Sequence, residues 1–127
     1  VYKRQTNADD SDVTSMGITV VMDALSVSIS NGSAEASDED INTNAVAISY
    51  NLGNGLVIAA GSVSSEDDLD AGEEYDLTTY EAAYTIASGL SAVLNVSEFD
   101  YENGTNPDSS QVDINGTNTS LTIKASF

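Results

Sequence analysis

Ala45-Val46-Ala47-Ile48-Ser49-Tyr50-Asn51-Leu52-Gly53-Asn54-Gly55-Leu56 is the stretch that decides the fold. Val46, Ile48, Tyr50 and Leu52 alternate with Ala47, Ser49 and Asn51, the period-two signature of a strand with two unlike faces. Gly53-Asn54-Gly55 then offers residues that accept positive φ cheaply, so the chain is expected to double back as a hairpin.

The same pattern extends in both directions. Met16, Ile18, Val20 and Met22 alternate with Gly17, Thr19, Val21 and Asp23, and a turn is expected at Asp23-Ala24. Leu25, Val27 and Ile29 alternate with Ser26, Ser28 and Ser30. Leu56 to Ser65 follows as a strand whose sidedness the residues do not assign. Tyr80, Ala82, Tyr84 and Ile86 alternate with Glu81, Ala83 and Thr85, before a turn at Ser88-Gly89. Leu90, Ala92, Leu94 and Val96 alternate with Ser91, Val93, Asn95 and Ser97. Last come Thr119, Leu121, Ile123, Ala125 and Phe127 against Ser120, Thr122, Lys124 and Ser126.

Seven strands result, in an all-β chain. The turns near 23–24, 53–55 and 88–89 are short. The connections at roughly 32–42, 65–76 and 103–117 read as long and acidic. Short turns at one end and long loops at the other are the layout of an antiparallel up-and-down transmembrane β-barrel. An odd number of strands does not close such a barrel, so a curved open sheet is expected.

Charge follows the same division. The 127 residues hold 21 acidic and 3 basic side chains, a formal charge of −18. The carboxylates gather in clusters, and the stretches between are almost uncharged, whereas a soluble surface normally mixes both signs. Nucleic acid is disfavoured as a partner, because phosphates would be repelled. Val1-Tyr2-Lys3-Arg4-Gln5 carry two of the three basic residues. They resemble the translation of a transposon end used in sequencing libraries. Residues 1–5 are therefore set apart as an adapter scar and 6–127 taken as the protein's own. The absence of His and Cys removes the usual partners of a catalytic triad and any disulfide or thiolate site, so no enzyme activity is expected.

The hairpin Ala45–Leu56 resembles the strand-turn-strand unit of Gram-negative general porins. The ending Leu121-Thr122-Ile123-Lys124-Ala125-Ser126-Phe127 is similar to the signal read by the barrel-assembly machinery, a terminal aromatic preceded by alternating apolar residues. Ala125 departs from it, since many members carry Tyr or another large residue there. The resemblance covers about residues 13–127 and rests on pattern more than on a unique motif. It implies the C-terminal part of a sixteen-stranded homotrimer in the bacterial outer membrane, from a marine source, contacting outer-membrane lipids and lipopolysaccharide. Its cargo would be small hydrophilic solutes and ions, with a cation preference from an acidic extracellular vestibule.

On this reading Ser28, Ser30, Ser49, Asn51, Glu81, Thr85, Asn95, Ser97, Thr122 and Lys124 line the pore. Tyr50, Tyr80, Tyr84, Leu121, Ile123 and Phe127 belong to the membrane girdles and the assembly signal, and Tyr75 is expected beside Tyr80. Phe99 and Tyr101 break parity with Leu94 and Val96, so either a bulge intervenes or they face the pore mouth. No cofactor is expected. Asp68, Asp70, Glu73 and Glu74 are weak candidates for loosely bound Ca²⁺ or Mg²⁺, the plainer reading being a solvated acidic loop. Two rivals stay open: a small non-conducting eight-stranded barrel or adhesin, and a secreted soluble β-sandwich.

Overall fold

The structure is a computed structural model, and it describes residues 2–6, 11–36, 40–68, 73–105 and 111–126. Eight strands run in chain order: β1 (Tyr2–Thr6), β2 (Ser11–Met22), β3 (Leu25–Glu35), β4 (Asp40–Gly53), β5 (Leu56–Asp67), β6 (Glu73–Ala87), β7 (Leu90–Thr105) and β8 (Gln111–Ala125). All belong to one antiparallel up-and-down sheet, each paired with its sequence neighbours. The seven strands read from the sequence are β2–β8. The short β1, taken largely from the five residues set apart above, pairs with β2 from Tyr2↔Ser15 to Thr6↔Ser11. The sheet is open, with β1 at one edge and β8 at the other.

Three two-residue turns close the hairpins at one end. Asp23 and Asn54 adopt positive φ of 49° and 52°, and Gly89 stands at 76°. Asn and Asp reach this left-handed region at low cost and Gly at none. The opposite end, called here the loop end, differs from the sequence expectation. The strands continue well into the acidic segments, to Glu35, Asp67 and Thr105 on the way out and from Asp40, Glu73 and Gln111 on the way back. The expected long connections are correspondingly shorter. Alternating polarity is a signature of strands with one wet and one apolar face. Where both faces carry polar groups the ladder persists without that signature.

Register assigns the two faces. One row across the sheet is Val20, Val27, Ile48, Ala60, Tyr80, Val96 and Thr119. The neighbouring row toward the loop end, on the other face, is Thr19, Ser28, Ala47, Gly61, Thr79, Ser97 and Asn118. Along β7 the second face is consistently the more sheltered, Ser91, Val93, Asn95, Ser97 and Phe99 all being half-buried while Leu94, Glu98 and Asp100 are exposed. We call the second face concave and the apolar face convex, after the curved sheet expected from the sequence.

Among the described residues no side chain is buried, apolar or polar. Ile18, Leu121 and Ile123 stand 65%, 68% and 66% exposed on the convex face. A sheet with an apolar face ordinarily covers it with a second layer. The soluble sandwich requires two packed sheets; here every strand joins one.

Candidate functional site

All ten residues expected to line a pore fall on the concave face. Ser28, Ser30, Ser49 and Asn51 occupy alternate positions of β3 and β4, and Glu81 and Thr85 those of β6. Asn95 and Ser97 of β7 and Thr122 and Lys124 of β8 share the same parity. Hydroxyl pairs cross the strands on this surface, Thr19 Oγ1 to Ser28 Oγ at 2.8 Å and Thr43 Oγ1 to Ser65 Oγ at 3.0 Å. Such pairs contribute a few tenths of a kcal/mol to about 1 kcal/mol each. Glu81 and Lys124 lie two strands apart, and Lys124 is level with Thr85 rather than with Glu81. At about 4.8 Å per strand and 3.4 Å per residue, two strands across and four residues along put their backbones roughly 16 Å apart, too far for a direct ion pair.

Tyr50, Tyr80, Tyr84, Leu121 and Ile123 share the convex face. Phe127 lies outside the described residues. Tyr75 does not join Tyr80: their odd spacing sends Tyr75 to the concave face, opposite Ser65 and Tyr101. The parity of Phe99 and Tyr101 is likewise resolved. Pairing of β6 with β7 is unbroken from Tyr84↔Ala92 to Glu74↔Glu102, so no bulge intervenes. Both rings stand on the concave face at the loop end.

The limits of the convex apolar band shift systematically. Toward the loop end its last members are Met16, Ile29, Val46, Ala60, Tyr80, Val96 and Leu121 on β2 to β8. Met16 pairs with Asn31, Val46 with Ser62 and Val96 with Thr119, so the band retreats by one same-face step at each of these crossings. Three steps of two residues across six strand pairs amount to one residue per strand. The turn end shifts in the same sense. After Leu25↔Tyr50, β4 runs on to Gly53 before turning, and after Leu56↔Tyr84, β6 runs on to Ala87. A stagger of one residue, about 3.4 Å, per strand spacing of about 4.8 Å corresponds to a strand tilt of roughly 35°.

Beyond the band the convex face becomes acidic. Glu66, Glu74 and Glu102 lie directly opposite one another, as do Asp76 and Asp100. Like charges in such positions are destabilising. Asp76 above all, then partial desolvation, Glu66, Glu102 and Asp100, raise the pKa of Glu74 above its ordinary value. On the concave face the described carboxylates of β2–β8 are only Asp67, Glu73 and Glu81. Most of the expected vestibule charge among the described residues therefore shares the face of the apolar band.

Of the metal candidates, Asp70 lies outside the described residues. Glu73 and Glu74, adjacent in β6, project to opposite faces. Asp68 accepts a hydrogen bond from Asn42 Nδ2 at 3.0 Å. Among the described residues no group of three or more acidic side chains is arranged to hold a metal. Among the described residues no helix is long and apolar enough to cross a membrane, which says nothing of β-barrels. Comparison with family models, curated proteins and solved structures finds no match.

Proposed function

We propose that this chain is a length of outer-membrane β-barrel wall belonging to a porin of the bacterial outer membrane, a passive channel for small hydrophilic solutes and ions that prefers cations. The observation that carries the reading is the stepped apolar band. A flat hydrocarbon slab crossing tilted strands meets each successive strand one residue further along, and closing a barrel requires a tilt of about 35–45°. The band holds three apolar positions on β3, β5 and β8 and four on β2, β4, β6 and β7, where, as in Tyr80, Ala82, Tyr84 and Ile86, it covers about eight residues. That is roughly 27 Å of strand, or a little over 20 Å of height once tilted, near the ~25 Å band of such barrels.

The concave face suits water. Ser, Thr, Asn, Gly and Ala hydrate without narrowing the lumen, and Glu81 and Glu73 leave it net negative against Lys124. Preference for cations follows from that sign, and a homotrimer with contacts to lipid, lipopolysaccharide and the assembly machinery follows from the porin reading. No enzymatic step and no tightly bound cofactor enter it.

The test is conductance of the full-length protein in planar bilayers, with the reversal potential read across a salt gradient. Ohmic steps with a cation-selective potential are expected. Absence of steps from protein that shows heat-modifiable migration on a detergent gel would favour the small non-conducting barrel. That rival draws on the even count of eight strands, but its closure needs β1 to pair with β8.

A further inference from the structure

The concave face changes character at the loop end. Through its middle it is built mainly of small residues, Ser, Thr, Asn, Gly and Ala, with Val57 and Val93 among them. Toward the loops, two adjacent rows read Val63, Leu77, Phe99, Gly116 and Ser65, Tyr75, Tyr101, Ile114. Tyr75 and Tyr101 meet edge to face, with ring centroids 6.5 Å apart at 61°. The Phe99 ring lies across the neighbouring strand, where a Cβ on Gly116 would come within 2.9 Å of two of its carbons. Covering a strand glycine strengthens a sheet, and that accounts for Phe99. It does not account for the two tyrosines, which face no glycine.

A carboxylate is fixed beside them. The Tyr101 hydroxyl donates a hydrogen bond to Glu73 Oε1, and Asp67 stands directly opposite Glu73 in the ladder. Lys124, the basic residue among the described side chains, lies at the other end of this face. Ring faces carry negative quadrupole density and attract cations, most of all organic ones that shed water readily. Rings with adjacent carboxylates and no local positive charge therefore select by sign as well as by shape.

We propose that Glu73, Tyr75, Leu77, Phe99, Tyr101 and Asp67 form a binding site for aromatic or alkyl-substituted ammonium ions at the mouth of the concave face. This rests on the reading of that face as the wall of a water-filled lumen. Bound there, the cation places its ammonium group against Glu73 and the tyrosine rings, and its apolar part against Leu77 and Phe99. The site then acts as a first station for amphiphilic cations entering from the loop side.

The probe is phenyltrimethylammonium, titrated calorimetrically into full-length protein folded in a non-ionic detergent. Tetramethylammonium supplies the charge without the ring, and benzenesulfonate the ring with the opposite charge. Saturable binding is expected, about tenfold tighter than for either control, from a ring contact and a charge contact acting together. Glu73→Gln and Tyr75→Leu are each expected to weaken it about tenfold, with heat-modifiable migration confirming that the variants fold. No saturable binding, equal binding of benzenesulfonate, or wild-type affinity in both variants would overturn the site. Conductance separates this from the pore itself. Ohmic current without phenyltrimethylammonium binding defeats only the site, whereas binding without current defeats the pore and leaves an externally accessible cation site on a closed barrel.

Discussion

The turn-end half and the loop-end half of this sheet are built from the same strands, yet their faces carry inverted chemistry. Near the turns the convex face is mainly Val, Ile, Leu, Met and Tyr, while the concave face is mainly Ser, Thr, Asn, Ala and Gly, with Val21, Val57 and Val93 among them. Near the loops the convex face is Glu and Asp, and the aromatic and aliphatic groups of β5–β8 have crossed to the concave side. Strand parity is unchanged between the halves. On the reading proposed above, what changes is the solvent that each face meets, so that the side chains track height in a layered environment rather than one inside and one outside.

The largest test of that contrast places the same charge on the same face of one strand in each half. Ile48→Arg lies within the convex band and is expected to cost about 2–4 kcal/mol of folding free energy in lipid vesicles. Asn44→Arg, two same-face positions toward the loops, is expected to cost about 0–1 kcal/mol. Denaturant titration of the refolded protein measures both. Equal costs would mean that no apolar layer ends between them.

Two glycines sharpen the contrast next. At the turn end Gly89 has φ of 76°, and an added Cβ would sit 2.5 Å from the Ser126 carbonyl oxygen. Gly89→Ala is expected to cost about 1–2 kcal/mol for the left-handed backbone alone, and more for the clash. At the loop end Gly116→Ala meets only the rim of the Phe99 ring, which can swing away. About 1 kcal/mol is expected, at the low end of overpacking penalties.

Much of this was legible in the sequence, and the reasons differ by region. The convex band could be read because apolar and polar residues alternate from Met16 to Met22 and from Tyr80 to Ile86. The ten concave residues followed from the same parity. The sides of β5 could not be read: Val57, Ala59, Gly61 and Val63 are as apolar or small as Leu56, Ile58, Ala60 and Ser62, and only the partners' register separates them. The strand extensions were hidden because polarity marks loops and wet strands alike. Tyr75, Phe99 and Tyr101 needed an unbroken ladder to be placed, although their shared odd numbering on two paired strands was the available signal.

A smaller effect separates the two faces by charge. Glu81→Gln on the concave face is expected to lower cation selectivity in the reversal potential. Glu98→Gln on the convex face, screened by the wall and by a Debye length of about 10 Å at 0.1 M salt, is expected to leave it nearly unchanged. The smallest effect concerns Glu74, whose raised pKa means that its proton is held more firmly in the folded sheet than in the unfolded chain. Stability should therefore fall as pH rises from the ordinary carboxylate range through that raised titration. Glu74→Gln is expected to raise the melting temperature slightly at neutral pH and low salt. Acidification or ~1 M salt, where the Debye length is about 3 Å, should erase the difference.

The three two-residue turns have a consequence for how such a chain can change length. Each fixes whether the next strand begins on an odd or an even count, and every later strand inherits that count through continuous pairing. Removing one residue from the turn at Asn54-Gly55 would exchange the faces of β5 to β8 at once, sending Tyr80 and Leu94 to the concave face and Glu81 to the convex face. The turn end keeps the count for the whole sheet.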